Sequence, residues 1–430
     1  MWCTLVHADD TELIQDHYSV IICGAGPVGL LIALCLGQAG VKTLVLERHH
    51  ELLPTTRAMV YQPVVLNVLR GLGILDIVKQ HAFLNHEGIY WRDIHGKELG
   101  HLPMPEDEYV LLIGQSRMNN LILQEISKHS SVTVRFNQQY VGCEQNDGQV
   151  KVMVHEGSVD KDDDIIHTAD WVIGTDGANS VVRRSLCIPF EGSSFFDFRM
   201  IGADVYYDFG KEHYGTVMNF VVHPEDWAVV IYSGQDKDGK PYGSAPPLWR
   251  VAYAEPLHLS DTKEDILQRA QERVGRYAKG KSSFDIPRAE PYRLHQRCAA
   301  QAIKGRVLLA GDALHSNNPI GGLGLTTGIL DAYAIGNALA RVCTGKATES
   351  LVAEAANYRR EKWLKSTNKF SQMNLQRLRS EKPEDIEERD HFFQSLEKDA
   401  DFPRKARAMI DEMVGLSFKE PQDGEKAARL

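Results

Sequence analysis

Three glycines and one acid near the start of the chain have the spacing of a nucleotide-phosphate site. Gly24, Gly26 and Gly29 form a G-x-G-x-x-G loop, which follows an apolar run and opens a helical one. The first glycine permits a tight turn, the second lets backbone approach a pyrophosphate, and the third lets helix and strand pack closely. Glu47 follows about 20 residues later, at the end of a second predicted strand, where a carboxylate can accept hydrogen bonds from a ribose. The pattern predicts a bound dinucleotide at a helix N-terminus, and the simpler alternative is a glycine-rich turn beside a solvated glutamate.

A second acid and a second glycine-rich run occur much later in the sequence. Asp312 ends the apolar run RVLLAGD, where a lone carboxylate is costly unless it accepts hydrogen bonds. The ribityl hydroxyls of a flavin would supply such bonds. Gly322, Leu323 and Gly324 then open a predicted helix, whose N-terminal amides can stabilise the negative charge of a reduced flavin. The alternative is an ordinary glycine-rich helix start.

These two stretches, together with GTDGANSVVR around Asp176, resemble the fingerprints of the class A flavoprotein aromatic hydroxylases, the p-hydroxybenzoate hydroxylase and phenol hydroxylase superfamily. The resemblance covers roughly residues 18 to 345. It implies bound FAD, NADPH or NADH as co-substrate, and dioxygen activated as a flavin C4a-hydroperoxide. The implied reaction hydroxylates, epoxidises or dearomatises an electron-rich aromatic or enolic, polyketide-like small molecule. The sequence departs from the family pattern at Asn318, where a second proline is frequent before Pro319, and at Thr326, where asparagine is frequent.

The same resemblance implies further cofactor contacts. Arg57 occupies the place of an arginine near the flavin or its phosphates, and Gln115 heads a helix that the family uses against the ribityl chain. Arg117 competes with Gln115 for that contact, although either arginine also suits a surface ion pair. Asp176 is the acid of the middle fingerprint, which serves FAD positioning and NAD(P)H binding. His315 is expected to brace the flavin loop rather than to act as a base.

The catalytic side chains are expected in the β-rich middle of the chain. Arg199 and Tyr232 have a separation similar to that of an arginine and tyrosine pair in some fungal members of the family. A positioned arginine or tyrosine could raise the nucleophilicity of the substrate by stabilising a phenolate or enolate. The alternatives are a strand-end surface charge for Arg199 and an ordinary core residue for Tyr232. His213, Tyr206 and Asn219 are weaker candidates.

The order of predicted elements indicates an α/β fold with interleaved domains. An opening strand, glycine turn, helix and strand predict a parallel βαβ unit, and a hairpin is predicted with its turn at His95-Gly96. The prediction is a Rossmann-like FAD-binding domain interleaved with an antiparallel β-sheet substrate domain and followed by a C-terminal helical region. The boundaries are 1–88, 101–190 and 291–345 for the FAD-binding domain, 89–100 and 191–290 for the substrate domain, and 346–430 for the helical region.

Composition narrows the class of protein and its partners. The 430 residues are 43% hydrophobic and 25% charged, which is ordinary for a globular protein, and no apolar run has the length of a membrane span. The net charge of −10 disfavours nucleic acid as a partner. Seven scattered cysteines without a C-x-x-C pair disfavour a disulfide framework or a metal site. An acidic start without an apolar core favours the cytoplasm. The oligomeric state is left open, with a homodimer as one alternative.

Other functions of an FAD-binding chain stay as alternatives. A flavin-dependent halogenase would carry a W-x-W-x-I-P signature, which is absent from the sequence. A reductase or Baeyer-Villiger enzyme with two dinucleotide sites would normally need a second G-x-G-x-x-G loop, and none occurs. A non-catalytic FAD-binding protein would keep the fold without turnover, and substrate-dependent oxidation of NAD(P)H would distinguish it from an enzyme.

Overall fold

The computed structural model describes residues 14–54, 58–157, 165–195, 197–240, 242–278 and 284–414. It begins with the predicted βαβ unit: strand β1 (Ile14–Cys23), helix α1 (Pro27–Gln38) and strand β2 (Thr43–Leu46), with β1 and β2 parallel. Pro27 at the first turn of α1 suits a helix start because its fixed φ is already helical and its missing N–H is not needed there. Helices from later in the sequence pack against α1, so most of its side chains are buried.

The elements up to residue 195 alternate between short helices and strands. In chain order they are β3 (Val60–Tyr61), α2 (Pro63–Gly71), α3 (Leu75–Lys79), β4 (Phe83–Asn85), β5 (Ile89–Arg92), β6 (Glu98–Leu102), β7 (Val110–Leu112), α4 (Gln115–Ile126), β8 (Val132–Arg135), β9 (Gln138–Gln145), β10 (Val150–Glu156), β11 (Ile165–Gly174), α5 (Val181–Ser185) and β12 (Phe190–Ser194).

The second half of the chain contains most of the antiparallel strands and the long helices. In chain order they are β13 (Phe198–Tyr206), β14 (Met218–Val221), β15 (Ala228–Asp236), β16 (Pro247–Pro256), α6 (Lys263–Tyr277), β17 (Asp285–Tyr292), β18 (His295–Ala299), β19 (Ile303–Lys304), β20 (Val307–Leu309), β21 (His315–Ser316), α7 (Leu323–Cys343), α8 (Ser350–Lys362), α9 (Asn368–Arg379), α10 (Pro383–Lys398) and α11 (Phe402–Val414).

A mostly parallel sheet gathers the predicted cofactor residues at one edge. Its strands run in the order β19-β20-β11-β1-β2-β8, and β10 and β9 extend it from β11. The pairs β1/β2, β1/β11, β2/β8 and β11/β20 are parallel, so the carboxyl ends of these strands lie side by side. The glycine loop follows β1, Glu47 follows β2, Asp176 follows β11, and Asp312 follows β20. Ligands of open α/β sheets bind at that edge.

A second, mostly antiparallel sheet forms the opposite wall of the molecule's central cleft. Its order is β17-β13-β16-β15-β14-β5-β6, and α6 packs on β17 at one end. The predicted hairpin is present as β5 and β6, with Ile89 opposite Leu102. It joins this sheet through a parallel pairing with β14. Tyr90 of β5 lies opposite Asn219 of β14, so an early segment of the chain completes a sheet whose other strands come much later, and the two layers are therefore interleaved in sequence.

Two groups of buried hydrophobic residues correspond to the two sheets. One surrounds the parallel sheet with α1, α4 and α7, and the other fills the antiparallel sheet and includes residues of α9 and α10. This arrangement is the mixed α/β fold that the sequence predicts, with helices after residue 345. The boundary positions given above stay a prediction. In the described part of the chain, no helix has the length and apolar character that crossing a membrane requires.

Candidate active site

A cavity of about 470 Å³ lies between the two sheets. One side is lined by the glycine loop, the end of β2, the start of α4, the residues after β11 and the segment from β20 to α7. The other side is lined by residues of β15, β16 and β17. The cavity is therefore the place where the two walls meet, and side chains from both can contact one ligand.

The glycine loop has the shape that a pyrophosphate needs. Gly24 has φ +111°, and a Cβ there would lie 2.7 Å from the carbonyl oxygen of Thr175. A Cβ on Gly29 would overlap the carbonyl oxygen of Gly24, so both positions require glycine for packing. A Cβ on Gly26 would meet no atom within 4 Å, although Gly26 lines the cavity. The open space at Gly26, in front of the N-terminus of α1, is a cradle for phosphate oxygens.

Glu47 is held ready to bind a ribose. Its Oε2 accepts the N–H of Ala25 at 2.9 Å and its Oε1 accepts the N–H of His49 at 3.0 Å. These two bonds fix the carboxylate beside the glycine loop. Each carboxylate oxygen keeps acceptor capacity, and the half-buried side chain lines the cavity, so ribose hydroxyls can donate to it.

Asp312 and the start of α7 close the other end of the cofactor side. Asp312 is exposed and lines the cavity, so the argument that its carboxylate is costly without a partner does not hold in this structure. Its position still suits flavin ribityl hydroxyls. Gly322 has φ +69° and caps α7, and Gly322 and Gly324 both line the cavity. The side chain of Leu323 points into the core instead, so its contribution to a ligand is limited to its backbone.

Helix α4 brings Gln115 into the cavity and Arg117 away from it. Arg117 donates to the carbonyl of Gly239 at 3.3 Å and contacts His81 at 3.1 Å. Positions 115 and 117 differ because two helical steps turn a side chain to the opposite face. Asn119, one turn after Gln115, also lines the cavity, and its Oδ1 is buried without a hydrogen-bond partner. The i, i+4 spacing from Gln115 could have identified Asn119 from the sequence.

Asp176 lines the cavity, but its carboxylate is already bonded to the start of helix α5. Its Oδ1 accepts the hydroxyl of Ser180 at 2.5 Å, and its Oδ2 accepts the N–H groups of Val181 at 2.6 Å and Val182 at 3.2 Å. The structure thus places Asp176 as a cap for α5 at the edge of the cavity. Arg57 lies outside the described residues.

Arg199 and Tyr232 do not line the cavity. Arg199 is buried and donates to Glu255 at 2.7 and 2.9 Å and to the carbonyls of Leu259 and Ser260. Tyr232 donates its hydroxyl to Asp236 at 3.0 Å. Side chains alternate along a strand, so Val229 and Ile231 of β15 face the cavity while Tyr232 faces away. We do not retain Arg199 and Tyr232 as candidates for substrate contact.

The weaker candidates also lie elsewhere. Asn219 is buried and hydrogen-bonded to Arg92 and Thr216. His213 contacts the hydroxyl of Tyr207. Neither Asn219 nor His213 lines the cavity. Tyr206 is likewise absent from the cavity wall. The sequence does not show which strand residues face the cavity. That depends on the register of each strand, and the register is set by the neighbouring strands.

Arg250 is the residue of the antiparallel sheet that brings charge to the cavity. It lies on β16 beside Ala252, and its Nε donates to Asp204 at 2.7 Å. Tyr292 of β17 lines the same wall; burial raises its pKa to about 12, and the nearby charge of Arg250 partly opposes that rise. Tyr292 is therefore protonated at neutral pH and can donate a hydrogen bond. No sequence pattern singles out Arg250, because an arginine inside an apolar strand resembles a charge at a strand edge.

The comparisons with known proteins agree with this geometry. The family model described as FAD binding domain matches residues 17–368. The chain is 35% identical over 374 residues to para-nitrophenol 4-monooxygenase of Pseudomonas sp. (strain WBC-3), covering 85% of this chain and 88% of that protein. It is 32% identical over 378 residues to 6-hydroxy-3-succinoylpyridine 3-monooxygenase of Pseudomonas putida (strain DSM 28022 / S16), covering 85% and 90%. The crystal structure of a p-nitrophenol 4-monooxygenase from Pseudomonas putida DLL-E4 superposes with a TM-score of 0.85 at 31% identity, over 94% of this chain and 99% of that one.

Proposed function

The chain belongs to the FAD binding domain family and is an FAD-dependent monooxygenase. We propose that it oxygenates a small phenol or hydroxypyridine at the ring carbon para to the hydroxyl. The observation that carries the proposal is the cavity itself. It joins a dinucleotide cradle on one sheet to a wall on the other sheet that is apolar except for Arg250 and Tyr292.

The cofactor side of the site fits FAD. We propose that the loop around Gly26 receives the pyrophosphate, that Glu47 binds the adenosine ribose, and that Gln115, Asn119 and Asp312 bind the ribityl chain. When bound and reduced, the flavin supplies the activation of dioxygen. The unpartnered Oδ1 of Asn119 supports this assignment, since a buried acceptor without a donor costs about 1–3 kcal/mol until a ligand satisfies it.

The substrate side suits an ionised phenol. Val229, Ile231 and Ala252 offer an apolar surface to a flat ring, and Arg250 offers the positive charge. A phenolate placed against Arg250 is stabilised as the anion, which is the more nucleophilic form of the ring. The carboxylate of Asp204 forms an ion pair with the guanidinium at 2.7 Å, which fixes its position in the wall and offsets part of its charge.

The names of the two relatives agree on the position of oxygenation. One is a 4-monooxygenase of para-nitrophenol and the other a 3-monooxygenase of 6-hydroxy-3-succinoylpyridine. In both names the oxygenated position lies para to the hydroxyl and bears the electron-withdrawing substituent. We propose the same position for the substrate of this chain. The proposal also includes NADH or NADPH as reductant, as is typical of the family. The cytoplasmic location, the homodimer and the likeness to fungal members stay predictions.

The test uses purified holoenzyme with 4-nitrophenol, 4-hydroxybenzoate or phenol as separate substrates. Oxygen uptake and NAD(P)H oxidation are measured with each one. Oxygenation of 4-nitrophenolate at the nitro-bearing carbon consumes one O2 and one NAD(P)H with one proton, and it yields benzoquinone, nitrite, NAD(P)⁺ and water. Release of one nitrite per O2 consumed is the expected result. Formation of 4-nitrocatechol without nitrite would refute the para position, and absence of stimulation by every phenol would refute the substrate class.

A further inference from the structure

A buried carboxylate behind the cavity contacts the loop that presents Asp312. Asp331 lies in the middle of α7 and is fully buried. Its Oδ2 accepts the N–H of Gly311 at 3.1 Å and contacts Nε2 of His315 at 2.7 Å. Its Oδ1 accepts Nε of Arg359 at 2.8 Å. Gly311 and His315 flank Asp312 on either side, so one carboxylate ties both ends of that short turn to α7.

The same cluster extends to the cavity through a second path. His315 stacks on Trp363, with ring centroids 5.6 Å apart and an angle of 13° between the planes. Trp363 donates its indole N–H to Oδ1 of Asn317 at 3.2 Å, and Asn317 lines the cavity. The cluster therefore reaches the cavity at two points, next to Asp312 and at Asn317.

Arg359 supplies the charge that makes the cluster stable. It belongs to α8, in the C-terminal helical region, and is 1% exposed. An isolated carboxylate at the position of Asp331 would carry a large desolvation cost, and the paired arginine offsets it. Burial raises the pKa of Asp331, but the charges and hydrogen bonds of His315 and Arg359 outweigh burial and hold it at about 2. Asp331 is therefore ionised at any pH at which the protein works.

We propose that Asp331, held by Arg359, is a positioning residue for FAD: it fixes the turn from Gly311 to His315 so that Asp312 and Asn317 meet the cofactor. Asp331 does not line the cavity, so it acts on the cofactor through the turn. The proposal gives the C-terminal helical region a part in cofactor binding. It rests on FAD binding and not on the identity of the substrate, so a failure of the substrate assignment leaves it intact.

The decisive variant is Asp331→Asn. The side chain keeps its size, but its NH2 group must face donors whichever way the amide turns, either Arg359 or the N–H of Gly311. The variant then loses either the bond between residue 331 and Arg359 or the bonds between residue 331 and the turn. Glu255→Gln is the matched control, because Glu255 is also buried and also accepts from two arginines, Arg199 and Arg269. None of the residues that contact Glu255 lines the cavity.

The experiment titrates the apo-proteins with FAD by flavin fluorescence, without substrate or reductant, and corrects for the folded fraction by circular dichroism. We expect Asp331→Asn to weaken FAD binding roughly 10- to 100-fold, because one or two charge-assisted hydrogen bonds that hold the turn are lost. We expect Glu255→Gln to lose folding stability while its folded fraction binds FAD as tightly as the wild type. Wild-type affinity in folded Asp331→Asn would overturn the proposal.

A second pair of variants decides the matter if Asp331→Asn does not fold. His315→Gln keeps an N–H donor for Asp331, whereas His315→Met has a similar length and no donor. We expect FAD affinity close to wild type for the glutamine variant and at least tenfold weaker for the methionine variant, since a lost hydrogen bond to a charged group costs roughly this factor. Equal affinities of the two variants would show that the bond to Asp331 does not position the turn, and the proposal would be wrong.

Discussion

Replacement of Gly26 by alanine should separate cofactor binding from folding. A Cβ on Gly26 meets no atom within 4 Å, and the backbone there, with φ −72° and ψ 175°, is open to any residue. The new methyl group therefore fits into the apo-protein without a clash. Alanine is a weaker helix N-cap than glycine, which lowers the free energy of unfolding. Alanine also restricts the unfolded chain, which raises it. Each effect is less than about 1 kcal/mol, and the two oppose each other. We expect the apo-protein to unfold at the wild-type temperature.

Binding of FAD should suffer instead. A phosphate oxygen that accepts from the loop amides at about 2.9 Å would come into overlap with the methyl group and would have to move. Overpacking of this kind costs about 1–3 kcal/mol, which corresponds to an affinity roughly 5- to 150-fold weaker. The assay compares thermal unfolding of apo-protein without FAD and at several FAD concentrations, because a ligand that binds only the folded state raises its stability in proportion to the logarithm of its concentration over Kd.

Other glycines of the chain provide the controls. Gly148 lies in an exposed turn outside the cavity, where a Cβ would come no closer than 3.7 Å to Asn146, so Gly148→Ala should change neither quantity. Gly29→Ala should destabilise the apo-protein itself, because its Cβ would overlap Gly24. If Gly26→Ala binds FAD like Gly148→Ala, the pyrophosphate does not lie against Gly26. If it unfolds like Gly29→Ala, the space at Gly26 is not open in the folded protein.

Four further substitutions test the rest of the site. Asp312→Ala should purify with little flavin, because the carboxylate proposed to bind the ribityl chain is lost; a fully yellow protein would contradict its role. Tyr232→Phe should lose about 1–2 kcal/mol of stability with the hydrogen bond to Asp236 and keep its turnover; a tenfold slower hydroxylation would return Tyr232 to the site. Arg250→Gln should raise the KM for 4-nitrophenolate roughly 10- to 100-fold, as judged by oxygen uptake, and an unchanged KM would exclude it from substrate binding. The carboxyl of Asp331 has a folded-state pKa of about 2, below its unfolded value, so its stabilisation is complete above about pH 5 and is lost as pH falls toward 2. The advantage of the wild type over Asp331→Asn in urea stability should thus shrink as pH falls from about 5 to about 3, and an advantage that stays constant over that range would contradict the low pKa of Asp331.

The cofactor half of the site could be predicted from local sequence. The first strand, the glycine turn and the helix are adjacent in the chain. All parallel strands of the sheet end at the same edge, so the residues that follow them lie close together. One cavity could therefore be predicted for the residues at these strand ends, with no knowledge of their tertiary contacts. They are Gly24, Gly26, Glu47 and Asp312. Arg117 shows the limit of the same reasoning, because a residue two positions from Gln115 points to the other face of the helix.

The substrate half could not be predicted in this way. Arg199 and Tyr232 were plausible by residue type and separation, but Arg199 pairs with Glu255 and Tyr232 with Asp236. Arg250, in contrast, reads as an ordinary strand charge. Which of two neighbouring strand residues faces a cavity depends on one step of register, and register is decided by cross-strand partners and by the layer that covers the sheet.

The amino-acid sequence by itself determined the dinucleotide cradle, the α/β class and the interleaved order of the two sheets, because these depend on backbone geometry and on periodicities within short stretches. The tertiary structure alone decided that Arg250 and Tyr292 face the cavity and that Asp331 joins His315 to Arg359. These contacts link residues of different elements, and such a contact exists only when packing brings the elements together. A side chain's partners across the fold are therefore a property of the whole chain, whereas a turn is a property of its own few residues.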